Sequence, residues 1–155
     1  MNFENLESVI DFAIEKEKEA ADFYEEVSLQ ESFSGAKEML KEFAAQERKH
    51  QSILEDLKAG AVDESVSKYK LKWIPDIKRS DYAVDMEYKK GMGYNDLLML
   101  AMKQEEKALK LYNQMLDQAE NEDTKKVFQI LCQEEAKHKL SLETMYDDYM
   151  AKMGD

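Results

Sequence analysis

LKEFAAQERKHQSILEDL, residues 40–57, contains the pattern from which the fold class can be predicted. Along it, apolar and ligand-type residues recur at steps of three and four: Leu40, Phe43, Glu47, His50, Leu54 and Leu57. This spacing predicts an amphipathic helix that turns one face inward. A carboxylate and an imidazole stand one turn apart in the middle of that face. Because a buried carboxylate is costly unless it is paired or bound to a metal, the pattern favours a metal site.

The same inward face recurs near the C-terminus, as Phe128, Leu131, Glu135, His138, Leu142 and Met145. The chain has two histidines, and each follows a glutamate by three residues. Two further predicted helices carry one central glutamate each, with alanines on both sides and a tyrosine two turns later. They run through Ala13, Glu17, Ala20, Tyr24 and through Ala101, Glu105, Ala108, Tyr112.

An internal repeat relates the two halves of the chain. Glu105, Tyr112, Glu135 and His138 each lie 88 residues after a residue of the same type: Glu17, Tyr24, Glu47 and His50. The sequence therefore predicts two copies of a helical hairpin. Two such hairpins joined by a long crossover predict an all-α, ferritin-like four-helix bundle with pseudo-two-fold symmetry.

The four helices are expected within one domain, 1–155, at about residues 5–29, 36–58, 95–119 and 123–150. Residues 59–93 form the crossover, since a connection of this length exceeds a tight turn between helices. Trp73 and Ile74 offer the crossover apolar anchors, which disfavours a disordered linker.

Composition supports a helical chain and excludes several functions. Five glycines and one proline leave few helix breakers, while hydrophobic residues make up 43% and charged residues 36%. The net charge of −12 argues against nucleic acid and anionic membrane as partners. The single Cys132 excludes an internal disulfide and any CxxC metal motif. With no signal-peptide pattern and no membrane-length apolar run, the expected location is cytoplasmic.

Six side chains would converge in the folded bundle: Glu17, Glu47, His50, Glu105, Glu135 and His138. Four carboxylates carry a charge that two divalent cations neutralise, and carboxylates can bridge two ions. A Glu from each of two helices and Glu-x-x-His from each of the other two is the arrangement of di-iron and di-manganese bundles. Oxygen and nitrogen donors without thiolate suit iron or manganese better than structural zinc.

These residues resemble the ferritin-like superfamily, and most closely its rubrerythrin branch. The resemblance covers both hairpins, about 120 of the 155 residues. It implies that Glu47 and Glu135 bridge two iron ions. It further implies that Glu17 and Glu105 are terminal ligands and that each ion takes one imidazole. The implied activity is reduction of peroxide or O2 by a di-iron(II) centre, and a homodimer is the implied assembly.

Two departures limit what the resemblance carries over. Rubrerythrins proper have a rubredoxin segment with paired CxxC motifs, whereas this chain has one cysteine. They also have a second glutamate three residues after the third-helix ligand, where this chain has Ala108. We therefore expect electrons from a separate donor, such as a rubredoxin-like protein, or from bound Fe(II). The C-terminal residues 151–155 are too few for the extra helix of storage ferritins, which disfavours mineral storage.

Three functional hypotheses follow. The first is an oxidoreductase of the peroxidase or ferroxidase type, the second a non-enzymatic protein that sequesters iron or manganese. The third, a helical interaction module with a vestigial site, is disfavoured by the retention of all six ligands. Tyr24 and Tyr112 are expected to hydrogen-bond ligand carboxylates, although core tyrosines are an alternative.

Overall fold

The computed structural model describes residues 6–30, 34–61, 64–71 and 93–153. They form five helices: α1 (Leu6–Gln30), α2 (Ser34–Lys58), α3 (Glu64–Lys68), α4 (Tyr94–Gln118) and α5 (Glu122–Met153). No strand occurs in these segments. α1 packs against α2, and α4 against α5, as hairpins. The predicted fold class, all-α with four long helices in two hairpins as in ferritin-like bundles, is confirmed.

The helix bounds follow the internal repeat of 88 residues. α4 begins and ends 88 residues after α1, and α5 begins 88 residues after α2. α5 then continues for seven residues past the point that corresponds to the end of α2. Tyr149 in this extension contacts Tyr94 at the start of α4, with 5.1 Å between ring centroids.

Local hydrogen bonds account for the end of α2 and the start of α5. At the end of α2, Gly60 has φ of 78°, a left-handed conformation that glycine adopts without a steric penalty. The Gly60 N–H donates to the Leu57 carbonyl and the Ala61 N–H to the Asp56 carbonyl, which makes a Schellman motif. At the start of α5, the Asn121 side-chain oxygen accepts a hydrogen bond from the Thr124 N–H at 2.8 Å.

Most of the predicted crossover, residues 72–92 with Trp73 and Ile74, lies outside the described residues. The part that is described contains α3, whose Val66 is buried. Lys126 donates from its Nζ to the Tyr69 carbonyl at 3.1 Å, which fastens the chain just after α3. None of the described helices is long and apolar enough to cross a membrane.

The described residues form two compact units, one within residues 1–69 and 119–127 and the other within residues 70–118 and 128–155. In the first unit the buried apolar side chains include Ile10, Ala13, Ala21, Tyr24, Val27, Leu40, Phe43, Ala44 and Leu54. In the second they include Leu98, Ala101, Met102, Tyr112, Met115, Phe128, Ile130, Leu131 and Leu142.

The predicted inward faces are correct at most positions and wrong at a few. Ala21 is fully buried, whereas Ala20, its predicted inward neighbour, is only half-buried. Leu57 and Met145, which end the two ligand faces, are also half-buried. A repeat of 3.6 residues drifts relative to steps of three and four, so the last residues of a face rotate toward its edge.

Candidate metal centre

The first unit brings Glu17 of α1 and the pair Glu47 and His50 of α2 to one level of its hairpin; we call these three residues the first half-site. Each is at most 2% exposed. His50 Nδ1 lies 3.5 Å from Glu17 Oε2 and 3.6 Å from Glu47 Oε2. One ligand atom from each residue can be chosen so that all three lie within 4.8 Å of one another.

Burial decides the electrostatics of the first half-site. Desolvation, together with the negative charge of Glu47 and a hydrogen bond with it, raises the pKa of Glu17 to about 7. His50 opposes this rise, because its contact favours the ionised carboxylate. A carboxyl that resists ionisation in the metal-free state becomes a good ligand once a cation neutralises it.

The second unit repeats the arrangement with Glu105 of α4 and the pair Glu135 and His138 of α5, the second half-site. All three are at most 3% exposed. His138 Nδ1 lies 3.7 Å from Glu105 Oε2 and 4.0 Å from Glu135 Oε2. Their ligand atoms also lie within 4.8 Å of one another.

The donor set of each half-site fits a divalent transition metal. Two atoms that bind one ion at about 2.1 Å each lie at most roughly 4.2 Å apart. The four distances between histidine and carboxylate, 3.5 to 4.0 Å, fall within that limit. Two carboxylate oxygens and one imidazole nitrogen suit iron or manganese. The assignment of the six residues as ligands stays a prediction.

Tyr24 and Tyr112 are buried in their units, at 0% and 1% exposure. The Tyr24 ring packs in T-shaped geometry with the rings of Phe23 and Phe43, at 5.4 Å between centroids in both cases. The Tyr112 ring stacks on Phe128 at 6.3 Å. Their aromatic packing accounts for their place in the core, and the hydrogen bonds to ligand carboxylates stay a prediction.

The sequence did not predict one buried charged pair. Lys139 and Glu143 of α5 are 4% and 0% exposed, and Lys139 Nζ lies 3.3 Å from Glu143 Oε1. In sequence they look like an ordinary surface pair four residues apart.

Comparison with known proteins agrees with the geometry. The sequence matches the family described as Rubrerythrin over residues 2–58 and 96–153, the two hairpins without the crossover. No curated protein matches the chain. Among solved structures, a hypothetical protein from Pyrococcus furiosus is similar, with a TM-score of 0.70 and 24% sequence identity. That match covers 93% of this chain and 89% of the other, and it supports the fold alone.

Proposed function

Because the chain belongs to the rubrerythrin family, we propose that it is a non-haem di-iron protein that reduces peroxide or O2. Each half-site holds one of the two iron ions with its three side chains. The observation that carries the proposal is the burial of two carboxylates and one imidazole in each unit, with their donor atoms spaced for one ion. Manganese is the alternative metal for the same donors.

The main contribution of the ligand side chains is electrostatic. Bound iron(II) ions supply electrons to the oxidant, and four carboxylates balance the charge of two divalent ions. In the metal-free protein Glu17 keeps its proton up to about pH 7, and metal binding displaces that proton from its carboxyl. The buried apolar residues beside the half-sites keep water away, so that each carboxylate interacts with the ion more strongly than it would in solvent.

The electrons come from a partner. No CxxC motif occurs in the sequence, so the chain lacks the usual ligands of a rubredoxin-type iron. We therefore propose a separate donor, such as a rubredoxin-like protein, with Fe(II) itself as an alternative reductant. A cytoplasmic location and a homodimeric assembly belong to the same proposal.

The first test is metal content and redox reactivity. The protein is loaded anaerobically with Fe(II), its iron is measured by elemental analysis, and one equivalent of peroxide is added while absorbance is recorded. We expect two irons per chain, rapid appearance of a ferric absorption band, and repeated turnover when a reductant is supplied. Fewer than one iron per chain would refute the proposal.

Neighbouring glutamates on α4 provide a matched control for the ligand assignment. Glu105 belongs to the second half-site, whereas Glu106 pairs with Lys103 and Lys110 at 3.4 and 3.2 Å. E105Q is expected to lose one iron per chain, while E106Q retains both. Equal iron content in the two variants would contradict the assignment of Glu105.

A non-enzymatic role in iron or manganese sequestration is the second candidate. The observation that favours it is Ala108, which stands where rubrerythrins proper have an additional glutamate. A sequestering protein would bind and release two ions without consuming peroxide. Turnover in the presence of reductant separates the two candidates directly.

A further inference from the structure

The outer face of α4 carries charges opposite in sign to those of α1 at equivalent places in the repeat. The charged residues of α4 are Lys103, Glu106, Lys107 and Lys110, and 88 residues earlier α1 has Glu15, Lys18, Glu19 and Asp22. Every one of the four signs is reversed. We call the three lysines of α4 the lysine stripe, because residues three and four apart lie along one side of a helix. In a chain with a net charge of −12, this stripe is a local basic surface.

The lysine stripe lies at the surface and is balanced in part by one carboxylate. Glu106 Oε1 lies 3.4 Å from Lys103 Nζ and 3.2 Å from Lys110 Nζ. Lys107 has an interaction within the chain as well. Lys107 and Lys110 are exposed, and ion pairs of exposed side chains contribute little free energy, so both ammonium groups can exchange one carboxylate for another. With Glu106 included, the stripe keeps a surplus of positive charge.

The lysine stripe lies at the same height along α4 as the ligand of the second half-site. Lys107 follows Glu105 by two residues. It is therefore about 3 Å further along the helix axis and on nearly the opposite side of the helix. A helix with its side chains is about 10–12 Å across. A protein bound at the stripe is thus separated from Glu105 by little more than the width of α4.

The character of this face favours a transient partner over a permanent one. α4 is described along its whole length, and no large apolar side chain on it is exposed. Stable interfaces have an apolar core, whereas charge complementarity mainly raises the rate of association and selects the partner. Redox encounters are among the small and short-lived interfaces. Lysines without exposed apolar anchors fit an encounter of that kind.

We infer that the lysine stripe is the docking surface for the electron donor, and that the donor is a small protein with an acidic face. The inference rests on the proposed function, which takes electrons from a separate partner. At the equivalent place on α1, Glu15, Glu19 and Asp22 repel an acidic face, so the donor discriminates between the two copies of the hairpin. Two encounters, each passing one electron from the reduced donor, return the two ferric ions to iron(II).

The first measurement is the salt dependence of electron transfer. The iron-loaded, oxidised full-length chain is mixed in a stopped-flow instrument with a reduced rubredoxin of net negative charge, and the absorbance of the oxidised rubredoxin gives the second-order rate. The rate is expected to fall as the ionic strength rises, because salt screens the attraction between the lysine stripe and the acidic face. Both proteins are net negative, so contact without a local basic surface would give a rate that rises with salt, and that result overturns the inference.

Two variants of equal net charge separate the location of the charge from its total. K107E/K110E and K16E/K18E each replace two exposed lysines by glutamates, on α4 and on α1 respectively. At low ionic strength K107E/K110E is expected to slow the transfer roughly 10- to 100-fold, while K16E/K18E stays within about threefold of wild type. E106Q removes the carboxylate that lies among the lysines and is expected to raise the rate, which a loss of packing would not do. Equal slowing in the two lysine variants overturns the inference.

Binding to the metal-free chain keeps this test apart from the test of the proposed function. Oxidised rubredoxin is titrated into the ¹⁵N-labelled metal-free protein, and chemical-shift changes are expected along the outer face of α4 at residues 103–110 and are expected to vanish in K107E/K110E. Changes confined to other parts of the chain overturn the inference, as do changes along α4 that appear when the chain alone is concentrated, since a second copy is then the occupant. Fewer than one iron per chain, with rubredoxin still bound at α4, refutes the proposed function and supports the stripe as a binding surface for an acidic protein.

Discussion

Metal-free protein should lose stability as the pH rises from 5 to 8, and replacing Glu17 by glutamine should remove most of that loss. The pKa of Glu17 is raised from its ordinary value of 4.5 to about 7, first by burial and then by Glu47. Between these two values the folded state keeps a proton that the unfolded state has released. Stability is therefore fully present below pH 4.5 and falls until the pH passes about 7.

The size of the effect follows from the two pKa values. For one carboxyl with these values, the free energy of unfolding drops by about 2.5 kcal/mol between pH 5 and pH 8. Solvent screens Glu17 only weakly, because its side chain is 2% exposed. In a chain of this size the drop corresponds to a melting temperature lower by roughly 5–10 °C.

The assay is urea unfolding of the chelator-treated protein at both pH values, followed by circular dichroism. E17Q should show a pH dependence smaller than that of wild type by about 2.5 kcal/mol. E19Q, which changes an exposed glutamate on the same helix, is the control and should behave as wild type. Parallel pH profiles for wild type and E17Q would contradict this prediction, because they would mean that Glu17 ionises equally in the folded and unfolded states.

Four further predictions can be checked with the same protein. With Fe(II) bound under anaerobic conditions, the stability of the protein should rise and not fall from pH 5 to pH 8, because metal binding favours ionised ligands. Calorimetry between pH 5 and 8 tests this. H50A should lower iron content and the metal-dependent rise in melting temperature together, and unchanged iron by elemental analysis would contradict its role. L54A should cost about 2–5 kcal/mol in urea unfolding, because Leu54 is fully buried; a cost far below that range would contradict its place in the core. R48A should cost less than about 1 kcal/mol, and the cost should shrink in high salt, since the ion pairs of Arg48 with Asp22 and Glu25 are exposed; a larger, salt-insensitive cost would contradict this.

The sequence predicted the fold class and the placement of the six ligand-type residues because all of them lie at the centres of inward faces. Glu47 and His50 lie among apolar residues that recur with the period of a helix. The same pattern occurs 88 residues later, around Glu135 and His138. Two independent patterns thus agree on the same residues. The structure places each trio together within its own unit.

The burial of Lys139 and Glu143 could not be predicted from local pattern. A lysine and a glutamate four residues apart are typical of a solvated helix face, and the first copy has Gln51 and an exposed Glu55 at the same places. Whether the flank of a helix is covered depends on tertiary packing, and the periodicity of a single helix gives no information about that packing. The half-buried Ala20 differs from prediction for the same reason.

The position of the first half-site along its hairpin affects the route by which an ion or a small oxidant reaches it. Glu17 lies 11 residues after the first residue of α1 and 13 before its last. At 1.5 Å per residue it is about 17 Å from one end of the helix and about 20 Å from the other, whereas a helix with its side chains is only about 10–12 Å across. Fraying of the helix ends, where local stability is lowest, therefore leaves the ligands covered. The shorter route for an ion or a small oxidant runs sideways between helices, so the rate of exchange depends on side-chain motion in the wall of the hairpin.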